Sequence, residues 1–482
     1  MTNDHQYPRI GLYIDGQWIH NRSPHTHVSN PADEAQLAPV PRATTADLDA
    51  ALSSALEGFR LWRATSPEER AAVLRKAVLL IRERTESIAT TISLELGKPI
   101  SDSRAEVLRA CTMMEWDAAE AQRLYGRILP SAPGSQHMVL RQPIGPVAAF
   151  TPWNAPLASP ARKVGAALAA GCSVILKAAE ETPGAACAFV QCLVDAGLPS
   201  GVLNLVFGDP SEISAHLIAS PVIRMITFTG SISVGKHLTR LAAAEMKPVL
   251  MELGGHAPVL VCDGVDAEAV GKMAAVAKVR MAGQICVSPT RFLVHESVYD
   301  TFVKSMAQSV AAVKVGGPFT DGVQMGPVAN GRRLAATESL VDDAVSCGGR
   351  VAAGGRRLFD KGYFYAPTVL ADVPLEARAM REEPFGPLAL CRPFSSLTEA
   401  IEIANQLPVG LAGYAFTNDL SDAETLGREL ECGILSVNHF SSSTASMPFG
   451  GLKESGIGRE GGQESLDAYT VTRMVYQRTS RV

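Results

Sequence analysis

RMITFTGSISVGKHLTRLAAAEMKPVLMEL, residues 224–253, places one amphipathic segment between two short apolar runs. The runs RMITFT and PVLMEL are typical of buried strands, and the segment between them is typical of a helix. The chain before this stretch alternates in the same way, through SVILK, TPGAACAFVQCLVDAGLP, GVLNLVF and SEISAHLIAS. Repeated strand–helix–strand units predict an α/β fold with a parallel, doubly wound sheet.

A second set of apolar strands and helices follows. It extends from about Ala257 to Val437, and begins with APVLVC. At 482 residues the chain exceeds the roughly 250–300 residues at which single cores stop growing, so we expect two or three domains. The β-prone tail YTVTRMVYQRTSRV, residues 469–482, predicts an edge strand that needs a partner.

One long amphipathic helix is predicted for SPEERAAVLRKAVLLIRERTESI, residues 66–88. Ser66 suits the N-cap and Pro67 the first helical position, and Glu69 completes a capping box with Ser66. We interpret this segment as scaffold.

Composition disfavours several classes of protein. A net charge of −5, with acidic and basic residues interspersed, provides no basic stripe for nucleic acid. Nine cysteines without C-x-x-C spacing argue against a disulfide framework and a metal site, and predict reduced thiols. The N-terminal residues MTNDHQYPRI lack an apolar signal core, and no apolar run reaches the roughly 18 residues of a membrane span. We therefore expect a cytoplasmic protein.

The motif FTGSISVGKH sets Gly230 and Gly235 between a strand and a helix. Backbone N–H groups at a helix N-terminus there would face a phosphate. A nucleoside-triphosphate P-loop is one alternative, but His237 stands where that motif needs a hydroxyl. Tight packing of strand against helix is another, and the glycines alone do not distinguish them.

Lys177 and Glu180 follow another predicted strand, at the end where open α/β sheets bind ligands. Their spacing allows both to reach one ribose. A carboxylate there would accept a hydrogen bond from a 2′-hydroxyl and would repel a 2′-phosphate. The alternative is a solvated ion pair at the start of a helix.

Three further residues have both a functional and a structural interpretation. Asn154, in the proline-bounded turn TPWNAP, is either a turn former or an amide aimed at a developing oxyanion. Glu252 lies at the end of an apolar strand, and it is either a structural carboxylate with an ion-pair partner or a general base with a raised pKa. Cys286, in MAGQICVSPTR, is either a small buried side chain or a nucleophile.

Seven motifs occur in one order along nearly the entire chain: TPWNAP, LKAAEETP, FTGS, MELGG, GQIC, EEPFGP and MPFGGLKESGIGREGG. Each alone is weakly specific. In this order and at this spacing they resemble the NAD(P)-dependent aldehyde dehydrogenase superfamily. Within it, ARKVGAALAAGC and VRMAGQIC are similar to the succinate-semialdehyde dehydrogenases.

The resemblance implies the catalytic roles. Cys286 matches the family nucleophile, Glu252 its general base, and Asn154 the side-chain half of its oxyanion hole. Lys163 matches a lysine proposed to relay protons. We therefore expect an aldehyde to be oxidised to a carboxylic acid through a thiohemiacetal and a thioester on Cys286. Glu252 favours hydrolysis of the thioester over its transfer to CoA, because a CoA-acylating relative needs no water-activating base.

The resemblance also implies a dinucleotide cofactor. Lys177 and Glu180 match ligands of the adenosine ribose, and Glu180 favours NAD over NADP. Ser231 and Trp153 match residues at the pyrophosphate. The cofactor-binding residues expected in this chain are Trp153, Lys177, Glu180, Gly230, Ser231, Leu253, Glu383 and Phe385, and we expect no metal.

The implied fold has a Rossmann-like cofactor domain, an α/β catalytic domain and a small β extension used for oligomerisation. These correspond to residues 1–123 and 144–253, to residues 254–464, and to residues 124–143 and 465–482. The terminal strand would then pair with another subunit, in a homodimer or homotetramer.

Three residues depart from the usual family pattern. Ala178 replaces a proline, His256 replaces a lysine or asparagine, and Ala155 replaces a phenylalanine. None removes a catalytic group. Ala155 opens the predicted substrate tunnel and loosens the inference about substrate size.

The closer likeness implies a substrate with a carboxylate at its far end, such as succinic semialdehyde. Arg162 and Arg280 fall where that group has its carboxylate-binding arginines, and Thr444 falls near a further hydrogen-bonding position. Solvated or ion-paired arginines are the structural alternative. An aromatic or other non-acidic aldehyde is the alternative substrate, because Ala155 and the loop NHFSSSTAS depart from the pattern.

Overall fold

A computed structural model describes residues 7–478. Residues 1–6 of the predicted cofactor domain and residues 479–482 of the predicted extension lie outside the described residues. The strands, numbered along the chain, are β1 (Leu12–Ile14), β2 (Gln17–Ile19), β3 (His25–Ser29), β4 (Gln36–Pro41), β5 (Arg127–Leu129), β6 (Ser135–Pro143), β7 (Val147–Phe150), β8 (Val174–Lys177), β9 (Leu203–Val206), β10 (Met225–Gly230), β11 (Val249–Leu253), β12 (Pro258–Val261), β13 (Arg291–His295), β14 (Arg350–Ala353), β15 (Thr368–Ala371), β16 (Leu388–Phe394), β17 (Val409–Gly410), β18 (Ala412–Phe416), β19 (Ile434–Val437), β20 (Leu452–Lys453), β21 (Gly456–Ile457) and β22 (Thr470–Arg478).

The α-helices are numbered in the same way. They are α1 (Thr45–Trp62), α2 (Pro67–Glu83), α3 (Thr85–Leu96), α4 (Ile100–Glu120), α5 (Ala158–Ala170), α6 (Pro183–Asp195), α7 (Pro210–Ala219), α8 (Ile232–Ala244), α9 (Ala267–Val279), α10 (Glu296–Ala311), α11 (Gly331–Ser346), α12 (Arg378–Arg381), α13 (Leu397–Asn405) and α14 (Leu420–Glu429). Short 3-10 turns occupy Ala121–Arg123, Arg280–Gly283 and Gln463–Leu466. No helix within residues 7–478 is long and apolar enough to cross a bilayer.

The first sheet has the order β2-β1-β9-β8-β7-β10-β11-β21. Strands β7 to β11 are parallel to their neighbours, whereas β1 and β21 join at the two sides as antiparallel strands. The order of the parallel strands reverses between β7 and β10, which are adjacent in the sheet but not consecutive in the chain. This confirms the predicted doubly wound, Rossmann-like sheet, and it creates a crevice at the carboxyl ends of β7 and β10.

The second sheet has the order β14-β15-β16-β13-β12-β18-β19. It is parallel except for β14, and cores lie on both faces. Along β12, Val259 and Val261 point into one core and Leu260 points into the other. This alternation explains why APVLVC is apolar throughout, since a strand covered on both faces has no polar side. The predicted second α/β unit is therefore present.

The chain crosses between the sheets more than once. Gly254 and Gly255 lead directly from β11 to β12, and β21 later returns to pair with β11. Leu466 and Tyr469 pack in the core of the first sheet. Short parts of residues 254–464 and 465–482 thus lie with the first domain, unlike the predicted boundaries.

The terminal strand β22 has a partner in its own chain, whereas the prediction gave it a partner only in another subunit. β22 pairs with β6 of its own chain in an antiparallel register from Thr470 opposite Pro143 to Arg478 opposite Ser135. β5 covers the other side of β6, which gives a three-stranded sheet. The reason is length, because β6 and β22 each have nine residues and satisfy each other along their whole extent.

The helix predicted for residues 66–88 is divided in two. Its N-terminus is as predicted, with a capping box between Ser66 and Glu69 and with Pro67 in the first turn. The helix ends at Glu83, Arg84 leaves the helical conformation, and α3 starts at Thr85. The hydrophobic period continues through the break, so the sequence pattern does not reveal it.

Candidate functional site

The crevice at the carboxyl ends of β7 and β10 forms one wall of a cavity of about 750 Å³. Trp153 and Asn154 follow β7, and Gly230 and Ser231 end and follow β10, so the sheet order brings these two loops together. The opposite wall comes from the amino-terminal edge of the second sheet, where Cys286 precedes β13. Residues predicted from distant motifs therefore line one space.

The glycines between β11 and β12 allow a close approach. A Cβ atom at Gly254 would overlap with the Glu383 carboxylate, and one at Gly255 would lie 2.9 Å from the Leu411 side chain and 3.3 Å from the backbone oxygen of Cys286. A larger residue at Gly254 would displace the Glu383 carboxylate, and one at Gly255 would press on Leu411. As a result, Glu252, at the end of β11, lines the same cavity as Cys286 and Glu383.

Cys286 follows a strained turn. Met281 (φ 48°, ψ 32°) and Ala282 (φ 52°, ψ 35°) are both left-handed, and Gly283 has φ 70°. A non-glycine residue in this conformation costs about 1–2 kcal/mol, so its surroundings must hold it. Gln284 does so, because its side chain donates to the Met281 carbonyl oxygen at 3.0 Å and accepts from the Ala329 N–H at 2.9 Å.

Burial controls the ionisation of Glu252 and Cys286. Burial, and then the negative charge of Glu460, raises the pKa of Glu252 to about 7, while Lys163 and Arg162 oppose this shift. Burial, followed by the charges of Glu252 and Glu383, raises the pKa of the Cys286 thiol well above its ordinary value. The thiol is thus protonated at rest, beside a carboxyl group that can take its proton near neutral pH.

Lys163 lies behind the cavity wall and is fully buried. Its Nζ donates to Glu460 Oε1 at 2.5 Å and to Thr227 Oγ1 at 3.1 Å. Glu460 itself lines the cavity, although no role was predicted for it. The Lys163–Glu460 pair adjoins Glu252 and provides both the like and the opposite charge that tune its pKa.

Two N–H donors flank the space beside Cys286. The Asn154 side-chain amide is buried and donates one hydrogen bond, at 3.0 Å, to the Gln284 carbonyl oxygen. Its second N–H remains available. The Cys286 backbone N–H has no hydrogen-bond partner within the described part of the chain. Together they could stabilise an oxyanion on a carbon bound to the Cys286 sulfur.

Aromatic and charged groups close the opposite end of the cavity. The rings of Trp153 and Phe385 meet edge to face, with centroids 5.5 Å apart. The Arg333 guanidinium lies over the Phe385 ring at 5.8 Å and donates to the Phe385 carbonyl oxygen at 3.2 Å. Burial raises the pKa of Glu383 to about 8, and this side chain accepts from the Gly255 N–H at 3.4 Å.

The predicted adenosine-ribose residues lie at the end of β8, outside the main cavity. Lys177 and Glu180 form an ion pair with an Nζ–Oε2 distance of 2.8 Å, and Glu180 also accepts from the Gly208 N–H at 2.9 Å. The ion pair expected from the structural alternative is therefore present, at the sheet edge where ligands bind. Both interpretations remain compatible with this geometry.

The residues of the motif FTGSISVGKH have two different roles. Ser231 lies at the N-cap of α8 without a side-chain cap, so N–H groups of the first turn remain available for a phosphate. Gly235 is buried inside α8, where a Cβ atom would overlap with the Leu253 side chain. Gly235 and Leu253 therefore serve helix–sheet packing, and only Gly230 and Ser231 face the cavity.

The predicted substrate residues differ in their placement. Arg162 lines the cavity, donates to Ser443 Oγ at 3.1 Å, and lies over the Phe449 ring at 4.8 Å. Arg280 also lines the cavity and has no side-chain partner within residues 7–478. Thr444 is exposed and is not part of the lining, which the neighbouring Ser443 joins instead.

Sequence reasoning missed Glu460 and Arg109, which also line the cavity. Glu460 lies inside the motif GIGREGG, so a charged residue among glycines was its signal. Arg109 lies in α4 far from any motif, and nothing in its local sequence marks it. Within the described residues, no group of three His, Cys, Asp or Glu side chains is placed to hold a metal ion.

Comparisons with known proteins agree with this architecture. Residues 18–475 match the family model described as "Aldehyde dehydrogenase family". The chain is 45% identical to 4-(hydroxymethyl)benzenesulfonate dehydrogenase TsaD1 of Comamonas testosteroni, over 96% of this chain and 97% of that protein. It is 38% identical to succinate-semialdehyde dehydrogenase [NADP(+)] GabD of Escherichia coli, over 97% of each. A crystal structure of succinate-semialdehyde dehydrogenase from Burkholderia pseudomallei is 36% identical, with a TM-score of 0.95 and 99% of each chain covered.

The raised pKa of Glu252 predicts a cost in stability. With a pKa of about 7 against an ordinary 4.5, the folded state binds more protons than the unfolded state between these values. The free energy of unfolding therefore falls as pH rises through this window and stays low above it. Glu252→Gln should remove the loss and raise the melting temperature at pH 8 by about 2–4 °C, with little difference at pH 5.

The control is Glu402→Gln, an exposed side chain on α13. We expect its melting temperature to equal that of the unsubstituted protein at both pH values. If Glu252→Gln melts below the unsubstituted protein at pH 8, the carboxyl group is not destabilised by burial.

Proposed function

The chain belongs to the aldehyde dehydrogenase family, and we propose that it oxidises an aldehyde to a carboxylic acid with NAD through a thioester on Cys286. One observation carries the proposal, namely that Cys286, Glu252 and Asn154 line a single cavity. The sheet order brings them together from three separate segments. No other cysteine lines this cavity among the described residues.

The first step is attack of the Cys286 sulfur on the aldehyde carbon. Because the thiol pKa is raised, its proton must leave as the bond forms, and the Glu252 carboxylate accepts it. The carbonyl oxygen becomes an oxyanion, which the Asn154 amide and the Cys286 backbone N–H stabilise. The product of this step is a thiohemiacetal.

Loss of hydride from that carbon gives a thioester, and hydrolysis releases the acid. NAD, when bound, supplies the acceptor for the hydride. Once Glu252 has given up the proton that it took from Cys286, it removes a proton from water, and the resulting hydroxide attacks the thioester. The Cys286 thiolate leaves and takes a proton back from Glu252, which restores the thiol. The Lys163–Glu460 pair adjoins Glu252 and can accept a proton from it. We assign Lys163 the role of proton relay on this basis.

The residues present fit a nicotinamide dinucleotide. The uncapped N-terminus of α8 at Ser231 suits the pyrophosphate. Trp153, which packs against Phe385, was predicted at the pyrophosphate too, and Glu383 and Phe385 at the far end of the cavity suit the nicotinamide and its ribose. Lys177 and Glu180 lie at the end of β8, where the adenosine ribose would come.

The three-stranded β5-β6-β22 sheet, which corresponds to the predicted oligomerisation extension, supports a homo-oligomer. Met474 and Tyr476 are 69% and 71% exposed on one face of the β5-β6-β22 sheet, and Ile128 is 71% exposed on the other face. Exposed large apolar side chains mark interaction surfaces. We propose a homodimer or homotetramer, which light scattering in solution would measure. The nine free thiols fit the reducing cytoplasm, which cell fractionation would test.

Two substitutions test the chemistry. Cys286→Ala should abolish aldehyde-dependent reduction of NAD while leaving cofactor binding intact, because the covalent intermediate cannot form. Glu252→Gln should form the thioester slowly, because the Cys286 thiol loses its proton acceptor, and should then stall before hydrolysis, giving no more than about one NADH per active site in a stopped-flow absorbance trace. Steady turnover by either variant, at about a tenth of the unsubstituted rate or more, contradicts the assigned role.

The cofactor preference follows from Glu180. Its carboxylate would repel the 2′-phosphate of NADP, at a cost of about 1–3 kcal/mol. We therefore expect kcat/KM to be about tenfold or more higher with NAD than with NADP, and Glu180→Gln should narrow the ratio. The alternative outcome is a preference for NADP, because the name of the Escherichia coli relative specifies NADP(+). Equal efficiency with both cofactors rules out the role of Glu180.

The substrate, on our proposal, carries an anion at the end remote from the aldehyde, as succinic semialdehyde does. Arg162 and Arg280 line the cavity, and Arg162 Nη1 is buried without a hydrogen-bond partner within residues 7–478. A buried donor without a partner costs about 1–3 kcal/mol, which a bound anion would recover. The names of the two relatives describe substrates with a sulfonate and a carboxylate.

Succinic semialdehyde and butanal form a matched pair that differs in this anion. We expect kcat/KM to be about a hundredfold higher for succinic semialdehyde, because two charge-assisted hydrogen bonds contribute about 1.5–3 kcal/mol each. Arg162→Met should remove most of the difference. If butanal is as good a substrate, the arginines are structural, and an uncharged aromatic aldehyde becomes the better candidate.

A further inference from the structure

A third arginine faces the substrate end of the cavity. Arg109 lies on α4 between Ala105 and Met113, and the spacing of four residues places all three on one stripe of the helix. All three line the cavity, as do Arg162 on α5 and Arg280 after α9. Arg109 therefore shares a space with the two arginines already discussed, although it comes from a different helix.

Arg109 is partly buried, and its side chain has no hydrogen-bond or ion-pair partner anywhere in residues 7–478. The nearest carboxylate on its own helix, Glu106, is committed elsewhere. Glu106 is paired with Lys98 and accepts from the N–H groups of Leu157 and Ala158, at 2.9 and 3.1 Å. Arg109 therefore has no direct partner among the described residues, and the carboxylates of Glu106 and Asp102 act on it only through their charge.

The three arginines repel one another across the cavity. Burial lowers the pKa of the Arg109 guanidinium, and the charges of Arg280 and Arg162 lower it further, whereas Glu106 and Asp102 oppose the shift. The carboxylate within ion-pair distance of Arg162 among the described residues is Glu460, at 3.9 Å, and Glu460 is shared with Lys163. The charge of Arg162 also acts on Asp117 and Glu252, where it opposes the rise in their pKa values. Arg109, Arg162 and Arg280 all line the cavity, and a substrate anion would relieve the repulsion among them.

The number of donors distinguishes between anions. A carboxylate presents two oxygens in a plane and is satisfied by one or two guanidinium groups. A sulfonate presents three equivalent oxygens in a tetrahedral arrangement, so three guanidinium groups from three directions match it better. The third arginine therefore favours a tetrahedral oxyanion.

The cavity between the arginines and Cys286 suits a flat ring. Tyr414, Phe440 and Phe449 provide aromatic walls, and Ala155 and Ala158 leave room between them. Tyr414 and Phe440 also pack on each other, with centroids 5.1 Å apart, so their positions support each other. An aromatic ring would span the distance from the arginines to Cys286. Because the ring is rigid, it would lose less conformational entropy on binding than an alkyl chain of the same length.

We propose that Arg109 is a specificity-determining residue and that the substrate is an aromatic aldehyde with a sulfonate opposite the formyl group. The inference rests on the proposed function, since the formyl group is oxidised at Cys286 as described above. It goes beyond that function in assigning Arg109 and in preferring a tetrahedral over a planar anion.

The test compares three para-substituted benzaldehydes that carry a sulfonate, a carboxylate or an uncharged methyl sulfone. The methyl sulfone has nearly the shape of the sulfonate without its charge. For the unsubstituted protein we expect kcat/KM to be about a hundredfold higher for the sulfonate than for the methyl sulfone. We expect it to be about tenfold higher for the sulfonate than for the carboxylate.

Arg109→Met should reduce the sulfonate-to-carboxylate ratio to about one, because the remaining two arginines satisfy both anions alike. Arg109→Lys should restore part of the ratio, since it keeps the charge without the planar fork. The matched control is Arg104→Met on the same helix, an exposed arginine held by Glu86, which should leave the ratio unchanged.

A second measurement is independent of any variant. Benzenesulfonate should inhibit the unsubstituted protein competitively against the aldehyde, with an inhibition constant about tenfold below that of benzoate. A sulfonate-to-carboxylate ratio that Arg109→Met leaves unchanged, or benzoate binding at least as tightly as benzenesulfonate, overturns the inference while aldehyde oxidation stands. Failure to oxidise any of the three benzaldehydes, when succinic semialdehyde is oxidised, overturns the inference alone. Failure with all four aldehydes overturns the proposed function itself.

Discussion

The buried ion pair between Lys163 and Glu460 is the interaction on which the site depends. It joins α5 to a loop 297 residues further along the chain, and its geometry is supported by a hydrogen bond to Thr227. Removing one partner of such a pair would leave an uncompensated charge in the interior. The pair also positions Glu252 between a like and an opposite charge, so the same contact that holds the two segments together sets the ionisation of the predicted base.

Several unfavourable features lie around the cavity that holds Cys286. They include a left-handed turn before Cys286, a Glu252 carboxyl with a raised pKa, and arginines without partners. Glu106, by contrast, is a buried charge with several partners, because it binds Lys98 and accepts from two N–H groups at the start of α5. A protein tolerates strain and unpaired charge only where the surrounding structure holds them, and such places are commonly functional. The cavity is therefore distinguished by its energetics as well as by its motifs.

Much of the fold could be predicted, because the strand–helix alternation in residues 224–253 reports burial directly. The break at Arg84 could not, because both helices keep their apolar faces on the same core. The pairing of β22 with β6 was also missed, because a strand's pattern shows that it needs a partner and not which one. Among the site residues, Cys286, Glu252 and Asn154 were identified through motifs, whereas Thr444 was placed at the cavity although it is exposed outside it.

The sequence by itself determined the residue types and their local geometry: which segments form strands, where glycines permit close approach, and that Cys286 and Glu252 occur in motifs that carry chemistry. Only the tertiary structure decided which side chains meet. Arg109 reaches the cavity because α4 packs against α5, and Glu460 reaches Lys163 because β21 returns to the first sheet. Periodicity describes the faces of single elements, whereas a site is made where the order of strands closes long loops, and that order depends on packing between elements distant in the chain.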